Sequence, residues 1–243
     1  MLTVTLCALA LQSGQSEITA ARVISNMLEH YYSAKTLQGT IKSVVKDDAG
    51  TVEFTTEVAY ERPSKIYVSQ NRKGRNGLDL LLVSDGERFS YDPPRNTPVR
   101  PKPNERLYEP VTVKHLDQTW SHKIGDIYAI GHSSLEFCVT LDLVVSHDVH
   151  LLEFKNMLAS YKLDGYQQVQ GQNAYRITGE WRQSINAVPT GSFVILVGPT
   201  FEILSFSLKE KYQVAGKTVS YTQTETPELR IGVPVRQDLF RVK

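Results

Sequence analysis

Between residues 16 and 37 apolar residues recur at three- and four-residue steps. Ala20, Ile24, Met27, Leu28, Tyr31 and Ala34 fall on one face, which predicts an amphipathic helix over 16–37. Ser16 stands where a cap is needed, Glu17 suits the positive first turn, and Gly39 is expected to end the helix. From Thr40 the period changes to two. Val52, Phe54, Val58 and Tyr60 alternate with Glu53, Glu57 and Glu61, as in a strand with one buried and one wet face. Asp47-Asp48-Ala49-Gly50 supplies the turn before it, and Arg62-Pro63 breaks the ladder after it, since proline has no N–H to donate. A strand over 64–69 carries Ile66 and Val68 on one side, and strands over 80–83 and 88–91 flank the hairpin signal Asp85-Gly86.

Residues 92–110 hold six prolines (Pro93, Pro94, Pro98, Pro101, Pro103 and Pro110) among arginines and lysines, so an extended surface connection is expected. The stretch 120–161 is ambiguous. Leu135, Phe137, Val139, Leu141 and Leu143 alternate as a strand would, while Leu141, Val144, Val145, Val149, Leu152 and Leu158 suit short helices. Tyr175, Ile177 and Trp181 then alternate with Arg176, Thr178, Glu180 and Arg182. Further strands follow over 192–197, 201–211 and 217–224, with Gly198-Pro199 and Ala215-Gly216 as turns. With neither repeat nor linker, residues 16–243 read as a single domain.

The formal net charge of +1 gives the chain no general attraction to nucleic acid or acidic membranes. Lys65, Arg72, Lys73 and Arg75, and then Arg95, Arg100, Lys102 and Arg106, gather basic charge locally without an aromatic ladder, and no nucleic-acid partner is expected. Residues 2–11 form an apolar run too short to span a bilayer but of the length of a signal-peptide core, with Ala8 and Ala10 at a cleavage-type spacing. Residues 1–15 are therefore expected to be a truncated or cleaved export signal, a buried N-terminal strand being the alternative. No lipobox precedes Cys7, and Cys138 within an apolar stretch is expected to be inert packing.

His147 and His150 sit at a helical i, i+3 spacing that can start a metal site, but His132 and Asp142 do not complete it. Asp47 and Asp48 are adjacent turn residues, not carboxylates facing across a cleft. Gly131-His132-Ser133-Ser134 lacks the second glycine of a nucleophile elbow, and Arg72-Lys73-Gly74-Arg75-Asn76-Gly77 lacks phosphate-loop spacing. The expectation is a protein that binds without catalysis, cofactor or metal.

The order of these elements resembles the periplasmic lipoprotein-carrier superfamily, and within it the uncharacterised predicted periplasmic members. The matching pieces are Asn26-Met27-Leu28, Tyr60-Glu61-Arg62-Pro63-Ser64-Lys65-Ile66, and Ser84-Asp85-Gly86-Glu87-Arg88-Phe89-Ser90-Tyr91-Asp92-Pro93. Looser matches are Asp142-Leu143-Val144 through Leu152, and the run from Gly165 to Tyr175. The resemblance implies an α+β fold: a curved antiparallel sheet forming an incomplete β-barrel, closed by helices that include the ambiguous stretch. It also implies an exported or periplasmic protein that holds a lipid, an acyl chain or a lipoprotein in an apolar cavity, with Arg62 as a latch on the lid. An envelope sensor or scaffold that binds another protein through the same fold is the alternative. Strand alternation selects Val52, Phe54, Val58, Tyr60, Ile66, Val68, Phe89, Tyr91, Ile177, Trp181, Leu204 and Phe206 as cavity lining, roofed by Ile24, Met27, Leu28 and Tyr31. The same side chains suit a dry core, and their packed volumes decide between the two.

Overall fold

A computed structural model describes residues 18–74, 80–92, 111–115, 124–125, 127–128, 138–145, 154, 156–182, 188–214 and 217–242. The first helix, α1 (Ala20–Tyr32), is shorter than its sequence pattern predicts. Thr19 caps it by accepting from the Arg22 N–H, and Ser33 closes it by returning both its N–H and its hydroxyl to the Glu29 carbonyl. The expected caps at Ser16 and Glu17 lie outside the described residues. Val23, Ile24, Met27, Leu28 and Tyr31 form the buried face.

Gly39 does not terminate the helix. It lies inside β1 (Thr36–Asp47), where a Cβ would stand 2.1 Å from the Glu228 carbonyl oxygen on the neighbouring strand. The glycine is there because two backbones approach at that point. Gly39→Val is expected to destabilise the protein by about 3 kcal/mol, since the obstacle is backbone that cannot rotate away; a urea midpoint equal to that of the native protein would contradict this.

The strands that follow are β2 (Gly50–Glu61), β3 (Lys65–Arg72), β4 (Leu80–Asp85), β5 (Arg88–Asp92) and β6 (Val111–His115). A short helix, α2 (Val139–Val145), precedes β7 (Leu158–Val169), β8 (Gln172–Trp181), β9 (Gly191–Val197), β10 (Ile203–Val214) and β11 (Lys217–Ile231). A single 3-10 turn, Gln237–Phe240, follows. The turns use the expected chemistry: the Asp47 carboxylate accepts from the Ala49 and Gly50 N–H groups, and Asp85 from those of Glu87 and Arg88. The proline-rich connection (93–110), the histidines of 131–150 and the basic residues Arg75, Arg95, Arg100, Lys102 and Arg106 lie outside the described residues. Lys65 and Lys73 are paired with Glu61 and Glu53, so that part of the basic cluster is not a bare cationic patch.

The eleven strands among the described residues form one antiparallel sheet in the order β6-β5-β4-β3-β2-β1-β11-β10-β9-β8-β7. It consists of two meanders joined where β1 pairs with β11, from Leu37 opposite Ile231 to Lys46 opposite Thr222. The sheet is left open with β6 and β7 as its edges. The chain between these edges must cross from one side of the sheet to the other, and α2 lies on that crossing, against α1 and β10. One continuous apolar cluster joins both helices to inward-facing residues of β1–β5 and β7–β10. The fold class is thus the expected one, α+β, with a curved open sheet forming an incomplete barrel that helices fill. On the outer face, Val235 and Phe240 of the C-terminal segment pack over Ala59, with Tyr67 and Leu239 beside them.

Candidate functional site: the helix-filled inner face

Strand alternation brings most of the selected residues together. Val58, Tyr60, Ile66, Val68, Phe89, Tyr91, Ile177, Trp181 and Phe206 all belong to the inner cluster, as do Ile24, Met27, Leu28 and Tyr31 of α1. Trp181 is the hub of its aromatic part, with the rings of Phe154, Phe193 and Phe206 between 6.0 and 6.3 Å away. Leu80, Leu82, Phe193 and Ile195 line the same face and were absent from the sequence selection.

Three selected residues stand elsewhere. Leu204 faces outward and packs with Ala174 and Leu196. The cause is an irregularity in β10: the register shifts between Ile203 and Ser205, so Ile203 and Phe206 both point inward and period two fails across them. Val52 is half-buried and lies outside the cluster, near the start of β2. Phe54 is buried but also outside it, its ring 5.0 Å beneath the Arg72 guanidinium.

The helices are tied to the sheet by specific polar contacts. The buried Tyr31 hydroxyl accepts the Ile203 N–H at 2.9 Å, and burial pushes its ionisation far above the ordinary tyrosine range. The Tyr60 hydroxyl donates to the Tyr31 carbonyl at 3.3 Å. Arg62 follows β2 and donates through Nε to the Ala34 carbonyl at 3.1 Å, while its guanidinium lies 4.9 Å over the Tyr60 ring. The Pro63 carbonyl next to it accepts the Ile124 N–H at 2.8 Å, so this corner fastens both the exit of α1 and the start of the crossing segment. Glu61 is engaged by Lys65 and Gln237. Arg62→Ala is expected to cost about 1.5 kcal/mol from the lost carbonyl hydrogen bond and ring contact, and Arg62→Lys, which keeps the charge but not the fork, should restore less than half of it. Equal urea midpoints for the native protein and both variants would contradict this.

The second fastening is a residue that sequence reading did not select. Glu225 on β11 is fully buried, and its two carboxylate oxygens accept the Val139 and Thr140 N–H groups at the start of α2, each at 2.8 Å. The Gln223 side-chain amide donates to the same carboxylate, and the Tyr221 hydroxyl in turn to Gln223. The amides favour the ionised carboxylate, but burial outweighs them and, with the nearby Asp142, raises the Glu225 pKa to about 7. Asp142 accepts the buried Tyr128 hydroxyl at 2.6 Å. Cys138 is a buried free thiol whose ionisation is pushed up by burial and by Glu225, which makes it a poor nucleophile. No group of three or more metal-ligating side chains occurs among the described residues.

A cleft of about 590 Å3 on the β7–β9 side is lined in part by Lys162, Asp164, Arg176 and Glu180. Its charges are largely mutually engaged, Asp164 by Arg176 and Lys162, and Glu180 by Ser160. It has the character of a solvated surface rather than of a ligand site.

Neither a family model nor a curated protein matches the chain. Solved structures that resemble it include the Mycobacterium tuberculosis lipoprotein LppX, at 11% identity and TM-score 0.44, covering 89% of this chain and 96% of that one. LprF from Mycobacterium bovis resembles it at 8% identity and TM-score 0.39, over 90% and 96% of the two chains. A LolA superfamily protein from Nitrosomonas europaea does so at 9% identity and TM-score 0.33, over 92% and 98%. At these scores the likenesses carry no functional argument. The helix-filled incomplete barrel that the lipoprotein-carrier resemblance implies is present in this chain's own strand order and core.

Proposed function

We propose that the protein is an exported, non-enzymatic binder that shelters a lipid, an acyl chain or the acyl part of a lipoprotein between the sheet and the helices. The observation that carries this reading is the inner face itself. A curved sheet presents one continuous apolar surface, and two helices cover it, tied to it by a few polar bonds at Tyr31, Arg62 and Glu225. Shifting the helices exposes apolar surface on both sides, which an acyl chain can cover again. Each methylene withdrawn from water contributes roughly 0.8 kcal/mol, so a chain of ordinary length supplies useful affinity without a charged anchor. The unliganded state is the packed one, and the ligand takes the place of helix contacts.

A fluorescent fatty-acid analogue titrated into the protein is expected to saturate, to be displaced by palmitate, and to protect α1 and α2 less from amide exchange than the apoprotein does. Absence of saturation at any micromolar concentration would count against the reading.

The second reading, an envelope sensor or scaffold, draws support from β7. It is a sheet edge with Tyr161 43% and Tyr166 62% exposed, a place where an extended segment of another protein can add a strand. Under that reading Tyr166→Asp abolishes partner capture and leaves lipid uptake unchanged.

A further inference from the structure

The start of α2 hangs on a carboxyl group that has no cation to balance it. Glu225 lies within the sheet, opposite Ser43 of β1 and Phe206 of β10. Its two oxygens accept the Val139 and Thr140 N–H groups, and the Gln223 amide donates to one of them. The titratable groups that face it are Asp142 of α2, the Cys138 thiol just before that helix and the Tyr128 hydroxyl, with Tyr221 behind Gln223. No lysine, arginine or histidine pairs with Glu225 among the described residues.

That arrangement makes the contact between helix and sheet sensitive to a proton. A buried carboxylate without a counter-charge is costly, and ionisation also sets it against Asp142 on the helix it holds. Lifting α2 opens Glu225 to water and relieves both. While α2 is down the carboxyl keeps its proton to about pH 7, whereas in water it releases it near 4.5. Between these values lifting the helix releases a proton, so it becomes easier as pH rises. What the helix covers is the inner apolar face, to which it contributes Leu141, Leu143, Val144 and Val145.

We infer that α2 is a proton-controlled cover over the inner face: it stays down while Glu225 is protonated and lifts to admit an apolar chain when Glu225 ionises. This rests on the lipid-binding reading above and adds to it regulation by pH. Entry is slow in acid and faster toward neutral pH, because the group that titrates is the one that holds the helix.

The test follows uptake of a pyrene-labelled fatty alcohol by the full chain; the probe is neutral at every pH used, so only the protein titrates. Uptake by the native protein is expected to be about fiftyfold faster at pH 8 than at pH 5. Glu225→Gln, which cannot ionise, is expected to keep the slow rate at both. Asp142→Asn, which removes the opposing charge, is expected to move the midpoint of the rise to lower pH. Amide exchange of residues 139–145, corrected for the intrinsic rate, reads the helix without any ligand. It is expected to follow the same pH profile in the native protein, to lose it in Glu225→Gln, and to depend less on urea than exchange in β2. Uptake with one pH profile in all three proteins leaves lipid binding standing and overturns the cover. No uptake, with the exchange profile as expected, overturns the lipid-binding reading and keeps the proton-held helix. No uptake, with exchange that does not differ between native protein and variants, overturns both.

Discussion

Replacing Glu225 with glutamine is expected to abolish a loss of stability, about 3 kcal/mol in the native protein, that develops as pH rises from the ordinary glutamate value of 4.5 to about 7. The folded protein keeps a proton on this buried carboxyl up to about pH 7, whereas the unfolded chain releases it near 4.5. Between these values the folded state binds the extra proton, so stability falls as pH rises. The contribution is fully present below the unfolded value and gone above the folded one. Other groups pull the opposite way. His30 has its pKa lowered by burial, so its contribution grows as pH rises toward its ordinary value. Glu61 and Asp85 are held below their usual range by their hydrogen bonds, so their contributions are present above their unfolded values and fade as pH falls. The difference between the native protein and Glu225→Gln isolates the buried group, and urea midpoints at pH 4.5 and pH 8 measure it. Parallel pH profiles for the two proteins would mean that Glu225 meets water and does not hold α2.

Trp181→Ala is expected to destabilise the protein by about 4 kcal/mol. The indole is buried and meets three other aromatic rings, so truncation leaves a cavity bounded by Phe154, Phe193 and Phe206 that strands held in register cannot collapse. The same cavity lies on the inner face, and the variant should therefore bind a fluorescent fatty-acid analogue more tightly per folded molecule even as it unfolds at lower urea. A cost below about 1 kcal/mol would show that this end of the barrel is loosely packed.

Where one face of a strand is dry and the other wet, the chain declared its structure openly. The alternation in β2, the Asp85-Gly86 hairpin and the apolar spacing of α1 all appear where their periodicities place them. β7 was illegible for the opposite reason. As an edge strand it is exposed along most of its length, so its residues carry no period-two signal. α2 is buried almost all round, which leaves a run that reads equally as helix or strand by periodicity alone. Leu204 shows the limit of alternation, since one register shift reverses every assignment on its far side. Glu225 was hidden in plain polarity. It stands in the run Thr222-Gln223-Thr224-Glu225-Thr226, which reads as wet on both faces. Its parity with Leu229 and Ile231 is the signal that could have placed it inside, because an acid in step with apolar residues is either a break in the pattern or a buried partner for something above it.

The most direct test of lipid binding is native mass spectrometry of the full chain purified from cells, followed by organic extraction of whatever travels with it. A defined adduct of lipid mass, recovered in the extract and replaceable by added palmitate, is the predicted result. An apoprotein mass that neither palmitate nor a lipopeptide shifts would contradict it and would leave the exposed β7 edge as the functional surface.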